Sequence, residues 1–82
     1  MKLYDLCIVK QNTEYPEISG IYAIILEDCG VYFLTEVWDF TKEEVRVLGI
    51  SKNNLRLATK EEEEEYMKKF NEYIADWQDN KT

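Results

Sequence analysis

The side chains with chemistry to offer here are two cysteines, Cys7 and Cys29, and seventeen carboxylates, set against ten Lys and Arg and no histidine. Without histidine, neither a serine nor a cysteine nucleophile has its usual proton acceptor, so Ser-His and Cys-His arrangements are excluded. Two cysteines are too few for a disulfide framework, and without histidine they cannot complete a four-ligand zinc site. Both lie in or beside apolar runs, where a reduced thiol behaves as a small hydrophobe. Asp28 precedes Cys29, and its negative charge opposes thiolate formation. A carboxylate pair working as acid and base needs a cleft that drives the two pKa values apart, and an 82-residue chain has little room for one. The inventory predicts a protein that is not an enzyme and takes no metal or cofactor.

The run Glu61 to Glu65 looks at first like a cation site. On a helix, however, five consecutive carboxylates fan out around the axis and cannot converge on one ion. They read instead as a solvated first turn, favoured by the positive end of the helix dipole.

What remains is binding. The net charge is −7 and the sequence pI about 4.5. That argues against nucleic acid or an anionic membrane as a direct partner, because both need clustered Lys and Arg. Between Glu14 and Glu44 stand eight acids (Glu14, Glu17, Glu27, Asp28, Glu36, Asp39, Glu43, Glu44) against Lys42 alone, before Arg46 is reached. Aromatic residues are interleaved with them. Tyr15 lies in a long loop, Trp38 and Phe40 flank Asp39, and Tyr4, Tyr22 and Tyr32 lie on strands that cannot all face inward. Aromatics rimmed by acids make a protein-binding patch, since Trp and Tyr dominate interface energetics. Tyr15, Glu17, Glu36, Trp38, Asp39 and Phe40 are therefore the expected contact residues.

Five short strands and one helix must position these groups. Leu3 to Val9 is rich in β-formers and reads as the first strand. Lys10 to Ser19 has no apolar period and holds the only proline, Pro16, so it reads as a loop. Ile21 to Glu27 is a second strand, apolar on both faces, and Val31 to Trp38 a third, joined through Asp28-Cys29-Gly30 with Gly30 free to take positive φ. Glu44 to Ile50 forms a fourth strand, with Val45 and Val47 expected to face the core. A polar turn, Ser51 to Asn54, leads to a brief fifth strand, Leu55 to Leu57. Thr59 stands three residues before Glu62, the capping-box spacing, and so starts a helix over about residues 60–78. Glu64 with Lys68 and Glu65 with Lys69 have the favourable i,i+4 spacing. Tyr66, Met67, Phe70, Tyr73, Ile74 and Trp77 form its apolar stripe. The chain reads as one domain, residues 1–58 mainly β and 59–79 a helix packed on them.

Two stretches resemble the Src homology 3-like small barrels. Leu3-Tyr4-Asp5-Leu6 is similar to the Leu-Tyr-Asp that opens many members, and Gly49-Ile50-Ser51-Lys52-Asn53-Asn54-Leu55-Arg56-Leu57 is similar to the segment that crosses into their last strand. The resemblance implies a five-stranded antiparallel barrel over about residues 3–58. It does not extend to a proline-rich ligand: Asn54 stands where such members carry a binding tyrosine, and Trp38 is followed by Asp39 rather than by a second tryptophan. Small barrels of bacteria and phages, with an exit like Val37-Trp38-Asp39, look equally similar and imply an accessory domain.

Two functions are open at this point. One is a small protein-binding or regulatory module for a basic or mixed protein surface. The other is a phage-type inhibitor, DNA mimic or toxin immunity protein that blocks a basic, nucleic-acid-binding protein. The N-terminus lacks a signal-peptide apolar core and no segment approaches a membrane span, so the expected setting is the cytoplasm, as a monomer or weak homodimer.

Overall fold

The computed structural model describes residues 1–10 and 15–79, the side chains of 76–79 apart. In chain order it comprises β1 (Leu6–Val9), a 3-10 turn (Pro16–Ile18), β2 (Tyr22–Asp28), β3 (Tyr32–Asp39), β4 (Glu44–Ser51), a second 3-10 turn (Lys52–Asn54), β5 (Leu55–Leu57) and α1 (Lys60–Asp79). All strand pairings are antiparallel and build one sheet in the order β4-β3-β2-β1-β5.

The first strand is shorter than its composition implies. Lys2 to Asp5 form a turn, closed by the Asp5 N–H on the Lys2 carbonyl and by the Lys2 N–H on the Asp5 carboxylate, with Tyr4 at φ 68°. A tyrosine in the left-handed region is strained, which composition alone does not reveal.

The expected barrel is not closed. β4 and β5 stand at opposite edges of the sheet and do not pair, because the three residues of β5 engage β1 and the eight of β4 engage β3. The sheet is nevertheless strongly curled. Five flat strands would hold their outer edges about 19 Å apart, whereas the three-residue link Lys52–Asn54 reaches roughly 14 Å at full extension. A register shift between Ile25 and Glu27 supplies extra local twist.

Alternation then sorts side chains onto two faces. The concave face holds the main core: Cys7 and Val9, Ala23 and Ile25, Phe33 and Val37, Ile50, Leu55, and Ile18 from the 3-10 turn. Thr35 is fully buried among them, and its hydroxyl donates to the Leu48 carbonyl at 2.9 Å. The opposite face carries Tyr22, Trp38 and Glu36, and α1 lies on it. Val45 and Val47 do not face the core as expected. Their pairing with Trp38 and Glu36 puts them on the helix side, at an edge α1 does not reach, and they stay 42% and 57% exposed. Leu48 and Ile50 turn inward instead.

The start of α1 follows the expected capping box. The Glu62 N–H donates to the Thr59 hydroxyl at 3.2 Å, and the Thr59 N–H donates to the Glu62 carboxylate at 2.8 Å. Arg56 of β5 grips the same carboxylate with both guanidinium nitrogens, at 2.7 and 2.8 Å, tying the helix start to the sheet. Tyr66, Phe70 and Tyr73 of the stripe pack inward, while Met67 is exposed. Trp77 lies outside the described side chains.

Candidate functional site

The structure separates the six expected contact residues. Trp38 and Phe40 belong to an aromatic cluster between sheet and helix. Trp38 meets Phe70 at 5.2 Å and Tyr73 at 5.9 Å between ring centroids, edge to face, and Phe40 meets Tyr22 at 6.1 Å and Tyr66 at 5.7 Å. Glu36 lies half-buried beside them and accepts the Trp38 indole N–H at 2.6 Å. Burial, with the Glu36 charge added, pushes the Tyr66 phenol up to about 12. These residues hold the helix on the sheet.

Three further acids are engaged as well. One carboxylate oxygen of Asp39 accepts the Thr41 and Lys42 N–H groups at 3.0 and 3.1 Å, shaping the β3–β4 turn. Glu17 pairs with Arg46 at 3.4 Å, and its own backbone N–H together with Arg46 holds its carboxyl below the ordinary range. Asp28 pairs with Lys52 at 2.8 Å and accepts the Gly30 N–H at 3.0 Å, which lowers its pKa.

Trp38, Asp39 and Phe40 line a small groove of about 140 Å³ beside Lys69 of the helix, whereas Tyr15 lines a larger open cleft. That cleft, of about 520 Å³, is bounded by Tyr15, Val31, Tyr32, Leu34, Gly49 and Ser51. Local chemistry explains its form. Gly30 at φ 93° and the Cys29 N–H on the Tyr32 carbonyl close the tight β2–β3 turn, leaving Val31 at its tip, 85% exposed. Lys52 clamps the turn from the far side, with Asp28 on its ammonium and the Phe33 ring 4.6 Å away. Tyr32, 41% exposed, lies across Gly49, its ring atoms 3.0 Å from where a Cβ would stand. The result is an aromatic and aliphatic surface with two phenols and a serine at its margin. It suits an apolar side chain flanked by hydrogen-bonding groups.

Sequence reasoning missed Val31, Leu34 and Gly49. The available signal was the alternation of Tyr32 and Leu34 on one face, opposite a glycine in the neighbouring strand.

A second, smaller groove of about 310 Å³ lies between β5 and the helix. Tyr4 rims it from its strained turn, 76% exposed, with exposed Leu57 and Met67 and the carboxylates of Asp5 and Glu63.

Burial, with the Asp5 charge added, pushes the Cys7 thiol up to about 11. Among the described residues no three His, Cys, Asp or Glu converge as metal ligands, and no helix is long and apolar enough to cross a membrane. Comparison with known proteins finds no matching family model, no matching curated protein and no matching solved structure.

Proposed function

We propose that this chain is a small protein-binding module whose contact surface is the Tyr15–Tyr32 cleft. The carrying observation is that Val31 and Tyr32 present exposed apolar and phenolic surface there, with Tyr15, half-buried against the core, forming the facing wall. Exposed apolar surface of this kind marks an interaction site more often than it serves stability. The net charge of −7 favours a partner with a basic or mixed face.

The fold reading that fits is Src homology 3-like. Its support is the strand order, the long β1–β2 connection, the 3-10 turn between the last two strands and the curl that link enforces.

The alternative, an acidic surface standing in for DNA phosphates, has less support. Of the eight acids between Glu14 and Glu44, four (Glu17, Asp28, Glu36 and Asp39) are engaged inside the molecule and poorly placed to mimic a phosphate array.

The test is a comparison of wild type, Val31→Asp and Tyr32→Ala as affinity baits in extract from the source cell. Proteins held by wild type and lost by both variants, at unchanged melting temperature, support the reading. Retention that is indifferent to both variants but abolished by competing DNA would replace it with mimicry.

A further inference from the structure

The outer edge of β4 borders this cleft. The Lys52 N–H donates to the Val31 carbonyl at 3.2 Å, which makes Tyr32 and Ser51 a non-hydrogen-bonded pair. In an antiparallel ladder bonded and non-bonded pairs alternate. The bonded pairs are therefore Phe33 with Ile50, Thr35 with Leu48, and Val37 with Arg46. The N–H and C=O groups of Val45, Val47 and Gly49 consequently point away from β3, into the open. No hydrogen bond among the described residues outside the sheet ladders reaches them.

This edge carries little of the usual protection: its one central charge, Arg46, is on the concave side and is paired with Glu17. Edge strands are commonly shortened, bulged, or broken by proline or an outward charge. β4 is eight residues long and pairs with β3 without a register break, and Val45 and Val47 are the exposed side chains at its centre. Three residues offering donor and acceptor every second position, roughly 7 Å apart, match an extended backbone and little else.

We propose that β4 receives an extended segment of another protein as a sixth strand, antiparallel to β4, with its N-terminal part beside the Tyr15–Tyr32 cleft. This rests on the protein-binding reading above and names the form of the partner. Alternate apolar side chains of that segment cover Val45 and Val47, and one enters the cleft beside Gly49, against the Tyr32 ring. Basic residues at its C-terminal end lie opposite Glu43 and Glu44, where β4 begins. A second copy of this chain fits less well. It brings another net −7, and pairing about Val47 sets Glu44 opposite Ile50 instead of a basic residue.

The test uses the full chain, labelled with nitrogen-15, and a synthetic peptide of alternating valine and threonine ending in two lysines. Addition of the peptide should shift the Val45, Val47 and Gly49 amides and slow their hydrogen exchange. Val47→Pro removes an outward N–H without touching the β3 ladder, and should weaken binding by roughly tenfold or more. The same peptide N-methylated on alternate amides should fail to bind wild type, a check that holds even where the proline variant does not fold. Absent binding, or equal binding to a folded Val47→Pro protein, overturns strand addition. Shifts confined to Tyr15, Val31 and Tyr32 overturn it while leaving the cleft reading intact. Protection of the three amides that grows with protein concentration, without peptide, assigns the edge to a second copy and also overturns the proposal.

Discussion

Trp38 and Glu36, two residues apart on one face of β3, are joined by a 2.6 Å hydrogen bond from the indole N–H to the carboxylate. The bond lies beneath α1, so it satisfies both polar groups where water has limited access. Around it Trp38 meets the rings of Phe40, Tyr66, Phe70 and Tyr73.

Trp38→Ala should therefore act on stability before it acts on binding. Removing a large aromatic from such packing costs about 3–5 kcal/mol when the site is fully buried, and somewhat less for this half-buried ring. Urea denaturation followed by circular dichroism should show the midpoint falling sharply. An unchanged midpoint with lost partner binding would mean that Trp38 belongs to the contact surface.

Tyr66 provides a pH test of the same layer. Its phenol is raised from near 10 to about 12, chiefly by burial and secondarily by Glu36. The unfolded chain thus releases the proton first, and the stability linked to Tyr66 is complete below pH 10 and lost as pH rises towards 12. Ultraviolet titration should show Tyr66 as the latest tyrosine, beyond Tyr22 and Tyr32, whose phenols are raised as well, and Glu36→Gln should bring Tyr66 to lower pH. Should Glu36→Gln leave it unmoved, the carboxylate has no part in the shift.

Glu62 contributes to the acid behaviour, alongside the lowered carboxyls of Glu17 and Asp28. Arg56, and then the Thr59 N–H, hold the Glu62 carboxyl at about 2, against an ordinary 4.5. A depressed carboxylate contributes stability that is present above pH 4.5 and lost as pH falls through about 2. Thr59→Ala removes the hydroxyl cap and should cost about 1 kcal/mol, within a usual range of 0.5–2. Thermal melts between pH 7 and pH 2 would show whether Glu62→Gln flattens the acid limb.

The two thiols should react differently. Cys7 is buried, with its Sγ 3.4 Å from the Met1 sulfur, and its raised pKa leaves almost no thiolate at neutral pH. A thiol-reactive dye should label the native protein once, at the partly exposed Cys29, and a second time only after unfolding. Two equally fast labelling events would show that the β1 layer opens readily.

Sequence alone determined the features that neighbouring residues decide among themselves. Thr59 and Glu62 close their capping box within one helical turn, and Asp28, Cys29 and Gly30 turn the second strand into the third, so residue order is enough to read both. Runs of β-forming residues bounded by turn signals likewise placed all five strands, to within a few residues at their ends. They could not say which of a strand's faces would be covered. Val45 and Val47 have the same character as Leu48 and Ile50, yet one pair is exposed and the other faces the core, because pairing with β3 fixes the register and α1 covers only part of the helix side. The same limit applies to Trp38 and Phe40, expected as contact residues. The rings that cover them, Tyr66, Phe70 and Tyr73, lie some thirty residues away in sequence, and only docking of the helix brings the two groups together. The cleft is likewise a product of tertiary structure. It needs Tyr15, Tyr32 and Gly49, from three separate segments, and the curl enforced by a three-residue link between opposite edges of the sheet.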